Sequence, residues 1–146
     1  MTKTKAQQIM AATEARAADD VTAAIQDIAA EFEPYIIKQR RHFHKHPELS
    51  LAEERTTSDI ANQLDAMNIP YERPLKTGLV ATLRGTAPDA YREDGTPRRR
   101  ILLRADIDAL PVTEQTGEDF SSVNEGCMHA CGHDCHIAMM LGTLQI

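Results

Sequence analysis

Residues 126–136 read Gly126-Cys127-Met128-His129-Ala130-Cys131-Gly132-His133-Asp134-Cys135-His136, and they hold all three cysteines and three of the six histidines. Cys thiolate and neutral imidazole are ligands for borderline-soft metals such as zinc. Asp134, set among them, can orient an imidazole or help hold a hard cation. This density of donors predicts a metal site. In an extended chain His129, Cys131 and His133 share one side. In a helix Cys127, Cys131 and Cys135 form one stripe. Gly126 and Gly132 argue against an uninterrupted helix. A loop that passes into a helix near Asp134 fits better, because Ile137, Ala138, Met140 and Leu141 then make an apolar run.

The plainer alternative is that the cysteines are small buried hydrophobes and the histidines ordinary polar residues. For Cys127 and Cys135 the burial tendency of free Cys favours that reading. For Cys131 with His133 the local density of donors favours ligation. A zinc finger is not supported, since no C-x2-C pair with a distant partner pair is present.

Working backwards, Ile101-Leu102-Leu103 predicts a buried strand that emerges at Arg104-Ala105-Asp106-Ile107-Asp108-Ala109-Leu110-Pro111. Asp106 and Asp108 then sit where ligand groups gather in open α/β sheets, at a strand's carboxyl end. They make the second half of a two-part metal site, or else Asp106 caps a turn and Asp108 is solvated. Leu79–Leu83 between Gly78 and Gly85 predicts another short strand, and residues 86–99 an exposed loop. Ser50-Leu51-Ala52-Glu53 has the form of a capping box, opening a helix with Ile60, Leu64 and Met67 that stops before Pro70.

Val21, Ile25, Ile28 and Phe32 form one stripe of an amphipathic helix. Glu33-Pro34 is expected to interrupt it, with Pro34 opening a new segment through Ile36, Ile37, Arg40 and Phe43 that ends at His46-Pro47. His42, His44 and His46 read as surface residues favoured by the helix dipole rather than as ligands. Residues 1–20 read as mildly helical with little to bury. Helices, then strands, then a helix predict an α/β fold with helices packed on a sheet.

Hydrophobic residues make up 42% of the 146, aromatics only 4% with no Trp, and the net charge is -6. With a pI near 5.5 this speaks against general nucleic-acid binding. No apolar run reaches membrane-spanning length and the N-terminus lacks a secretory h-region. Three clustered cysteines do not form a disulfide framework, so a cytoplasmic location is expected. The chain stops at Leu144-Gln145-Ile146 within an apolar helical pattern, which predicts a piece of a longer domain. A sheet edge and apolar face left open in such a piece favour self-association, up to a homo-oligomer.

Three motifs occur in order: Arg40-Arg41-His42-Phe43-His44-Lys45-His46-Pro47-Glu48-Leu49-Ser50, Leu103 to Pro111, and Met128 to His136. Together they resemble the N-terminal motifs of the M20 metallopeptidases, in the amidohydrolase branch with hippurate hydrolase, N-acyl-amino-acid amidohydrolases and plant auxin-conjugate hydrolases. The resemblance runs from about Glu33 to the last residue, with 1–32 as a variable helical extension and 33–146 as the N-terminal part of the catalytic domain. It implies a truncated zinc-peptidase-like α/β domain with helices on a mixed sheet. It also implies two divalent metals per complete site, manganese or zinc with cobalt tolerated, and a bridging water that attacks an amide carbonyl. Cys131 and His133 would be metal ligands, and Asp106 a carboxylate that orients one. Arg104 stands where the wider family has a ligating His. The catalytic base, one Glu of a Glu-Glu pair, would lie beyond residue 146, as would the lid domain.

Three functions follow. The first is an amidohydrolase acting on small N-acyl amino acids, with no nucleic-acid or membrane partner, represented here by an inactive part. The second is a non-catalytic fragment or pseudoenzyme, and the third a small redox or zinc-storage protein. A downstream Glu-Glu pair separates the first two. Thiol reactivity isolates the third, which needs an exposed thiolate of low pKa.

Overall fold

The computed structural model describes residues 5–87 and 89–146. Helix α1 spans Lys5–Lys45, α2 Glu54–Ala66 and α3 His133–Thr143. Strands β1 (Tyr71–Glu72) and β2 (Val80–Ala81) pair antiparallel, Tyr71 opposite Ala81 and Glu72 opposite Val80. The fold is mixed α/β, three helices with a small sheet. No described helix is long and apolar enough to cross a membrane.

Phe43 of α1, Ile60 and Leu64 of α2, Ile137 and Leu141 of α3, and Ile69 form the buried core. Helices α2 and α3 each contribute two residues four apart, so each buries one stripe, while α1 contributes Phe43. Gly142 lets α3 lie close against α1, because a Cβ there would come within 2.7 Å of the Ile36 side chain.

Several local expectations are corrected. Pro34 does not interrupt α1, which is continuous across it. Proline removes one N–H and crowds the carbonyl four residues back; Pro34 and Ala30 are both exposed, so water can serve that carbonyl. The stripe at Val21 and Ile25 is helical but stays exposed. The part of the 1–20 reading that covers residues 1–4 lies outside the described residues.

Ser50 does not cap α2, whose N-cap residue is Glu53 without a side-chain hydrogen bond. Glu48 does the work instead. Its carboxylate accepts hydrogen bonds from the backbone N–H of Arg55 (3.1 Å) and Thr56 (2.7 Å) and from the Thr56 hydroxyl (2.8 Å). A negative charge there also complements the helix dipole.

The strand expected at Leu79–Leu83 shrinks to β2, and Ile101-Leu102-Leu103 is neither paired nor buried. Leu102 keeps 90% of its surface exposed. A continuous apolar run becomes a buried strand only with neighbours on its edges and faces, and no described strand supplies them. Order returns a few residues later through single bridges, Leu49 with Ala109 and Leu110 with Met128. The amide of Ala109 donates to Glu48 O (2.8 Å), and Leu110 and Met128 exchange hydrogen bonds of 2.9 and 3.0 Å. These contacts carry the Asp106–Asp108 segment up to the start of α3.

Candidate metal centre

Helix α3 starts one residue earlier than Asp134 predicted, with Gly132 as its N-cap at φ 85° and ψ 18°. That left-handed backbone is where glycine is unstrained. Asp134 falls in the first turn and is fully buried. Its Oδ2 accepts from Arg40 Nε at 2.9 Å and lies 2.8 Å from His44 Nδ1.

His44 is therefore not the surface residue expected from its place near a helix end; it is 3% exposed. Its Nε2 faces Glu114 Oε1 at 3.1 Å, and its ring meets Phe120 edge-on at 5.5 Å. Burial alone pushes the Glu114 carboxyl pKa up. Hydrogen bonds from the Ser122 amide, the Thr116 hydroxyl and His44, together with the His44 charge, overcome this and hold it at about 2. His44 thus joins the first motif to the segment before the Cys/His loop and to α3. The alternation of His42, His44 and His46 gave no signal for this, because the partners lie 70 and 90 residues away.

On the open side of α3, His133 Nδ1 lies 2.9 Å from Asp108 Oδ1 and 3.0 Å from the Asp108 carbonyl. Asp108 is thus engaged rather than solvated. Asp106 Oδ1 accepts from Arg104 Nε (2.9 Å) and Nη2 (2.6 Å). Those hydrogen bonds are the main reason its pKa is lowered. The His133 and His136 rings stack with centroids 5.3 Å apart. Among the described residues, Asp106, His133 and His136 form a group whose ligand atoms lie within 4.8 Å of one another.

Cys131 is exposed and outside that group, Cys135 is half-buried, and Cys127 is buried, which raises its thiol pKa. His129 is 4% exposed, with neither ring nitrogen hydrogen-bonded among the described residues. Burial lowers its pKa.

A sequence model of Peptidase family M20/M25/M40 matches residues 102–146. The Bacillus subtilis YXEP protein, a dinuclear metal binding peptidase from the M20 family, superposes with a TM-score of 0.69 at 42% identity, covering 80% of this chain and 31% of that one. The chain is similar in sequence and fold to the M20 peptidases. An N-acyl-L-amino acid amidohydrolase of Geobacillus stearothermophilus is 42% identical to this chain over 123 residues, 84% of the chain and 31% of the relative. An uncharacterized hydrolase of Staphylococcus epidermidis is 45% identical over 107 residues, 73% of the chain and 25% of the relative. The chain therefore spans a quarter to a third of the curated relatives it matches.

The donor set fits a divalent metal. An imidazole held on one nitrogen by a carboxylate presents the other to the cation, as metal-bound histidines do, and Asp108 leaves His133 Nε2 in that state.

Proposed function

We propose that this chain contributes the N-terminal part of a metal-dependent amidohydrolase that cleaves the amide bond of N-acyl amino acids. The observation that carries the reading is the Asp108–His133 pair at 2.9 Å, which sets one imidazole in ligand form at the start of α3. Cys131 and His133 are the metal ligands this chain supplies to the complete centre, and Asp106 is an orienting carboxylate. Two cations per complete site are expected, manganese or zinc, with cobalt also accommodated by imidazole and thiolate donors. When bound, such a centre supplies a water acidified to a pKa of about 7 and polarises the substrate carbonyl.

The chain's own residues define what they add. Asp108 fixes the His133 tautomer. The Cys131 thiolate, once deprotonated, brings negative charge to the cation. Arg104 holds Asp106 ionised. On the family pattern the proton-transferring Glu follows the Cys/His motif at a distance, so residues 1–146 alone are expected to show little turnover, with the cytoplasm as the expected location.

Hydrolysis of hippurate and related N-acyl amino acids, measured in a polypeptide that joins this chain to the remainder of an M20 domain, tests the reading. Cys131→Ala or His133→Ala should abolish activity and lower metal content. Asp106→Asn should cost about 10–100-fold. Full activity of metal-free Cys131→Ala protein would overturn it, as would metal-dependent turnover by a compact monomer of the 146 residues alone.

A further inference from the structure

Helix α1 runs well past the core that it helps to build. From Tyr35 onward its inner face is covered. Tyr35 donates to Gln63 Oε1 of α2 at 3.0 Å, Ile36 lies close against Gly142 of α3, and Phe43 is in the core. The same face continues towards the N-terminus through Phe32, Ile28, Ile25 and Val21, and there it emerges, with Val21 59% and Ile25 46% exposed. The form of this stripe says what covers it. Its steps of four, three and four residues are those of a two-position heptad seam, narrower than the stripe of a helix lying on a globular surface. Ala24 and Ala29, which flank the seam, are small enough for a neighbouring helix to come close, and Asp19, Asp20 and Asp27 fall at the outer heptad positions. Such a seam takes one other helix with a matching seam. Among the described residues α2 and α3 spend their apolar stripes on the core, so the matching seam is that of a second copy.

We propose that residues 21–32 of α1 pair antiparallel with the same stretch of a second copy, Val21 facing the partner's Phe32 and Ile25 facing the partner's Ile28. Charge sets the direction. Residues 19–33 carry five carboxylates and no Lys or Arg, whereas residues 34–45 carry four Lys or Arg and no carboxylate. Antiparallel pairing turns the acidic half of each helix towards the basic half of the other, while parallel pairing stacks acid on acid. Parallel pairing would also drive two copies of α3 into the same space, because the seam and the face that α3 covers are one face of α1. A two-fold axis between Ile25 and Ile28 presents the same patch from both copies, as a closed dimer requires. A seam of about three turns is smaller than the roughly 1,600 Å² typical of stable complexes, so the dimer is weak and reversible.

The test uses the full 146-residue chain and sedimentation equilibrium across the micromolar range, with circular dichroism confirming the fold of each variant. The unmodified chain should pass reversibly from monomer to dimer as its concentration rises. Ile25→Asp should stay monomeric throughout, and because Ile25 lies outside the buried core its replacement leaves the fold intact. Leu102→Asp, on the other exposed apolar run, should dimerise as the parent does. Direction is read in a background of Cys131→Ser and Cys135→Ser, which leaves only the buried Cys127. There a Val21→Cys chain mixed with a Phe32→Cys chain should form a disulfide-linked pair on mild oxidation, and Val21→Cys alone should not. An unmodified chain that is monomeric at every concentration overturns the proposal, as does a dimer that survives Ile25→Asp. Loss of the dimer in Leu102→Asp places the interface at residues 101–103 and overturns it too. A Val21→Cys homodimer overturns the antiparallel arrangement.

Discussion

Replacing His44 by Ala should destabilise the chain far more than the same change at His42, only two residues away. The His44 side chain is 4% exposed and lies between two carboxylates that are 1% and 5% exposed. Removing one partner of a buried ionic pair costs about 3–5 kcal/mol, because the other charge is left without compensation. Two neighbours soften the loss here. Arg40 still reaches Asp134, and the Ser122 amide still donates to Glu114. The lower end of the range, about 3 kcal/mol, is the expected cost, before any lost packing against Phe120 is added. That is a large share of a total stability of about 5–15 kcal/mol. His42 pairs with Asp59 at 2.8 Å, but those side chains are 37% and 28% exposed, so His42→Ala should cost about 1 kcal/mol or less. Urea unfolding of the two variants, followed by circular dichroism, gives the comparison. Equal midpoints for His44→Ala and His42→Ala would refute the buried network as a structural element.

Three further outcomes follow from the same structure. Glu48→Ala should destabilise α2 by about 1 kcal/mol, whereas Ser50→Ala should leave the urea midpoint unchanged. Gly142→Val should cost about 1–3 kcal/mol by overpacking against Ile36, measured as a lower melting temperature. Glu114, whose folded pKa of about 2 lies below the ordinary 4.5, contributes stability that is fully present above pH 4.5 and is lost as pH falls towards 2. The full displacement corresponds to at most about 3 kcal/mol. Acid unfolding of Glu114→Gln should accordingly show a shallower loss across that window.

Much of the architecture could be read from local pattern. The stripe of Ile60 and Leu64 marked α2, and Ile137 with Leu141 marked α3, because a buried helix face repeats every three to four residues. Gly132 and His133 fell at the junction where loop passes into helix. What could not be read depended on distance along the chain or on neighbours. The apolar run Ile101–Leu103 has the composition of a buried strand, yet burial is decided by what lies beside it. His44, Glu114 and Asp134 come from three separate segments, and nothing in any one of them announces the others. Glu48 was hidden by a better-looking signal in Ser50-x-x-Glu53. Asp106 and Asp108 were both legible as candidate site carboxylates, although the strand expected to carry them does not form, and spacing could not say which would hold His133.

His133 is the residue on which every metal assignment depends, so its removal is the most direct test. The purified chain, equilibrated with zinc and freed of excess, should retain metal by elemental analysis, and His133→Ala should retain none. Zinc retained by His133→Ala to the level of the unmodified chain would contradict a metal centre at the start of α3.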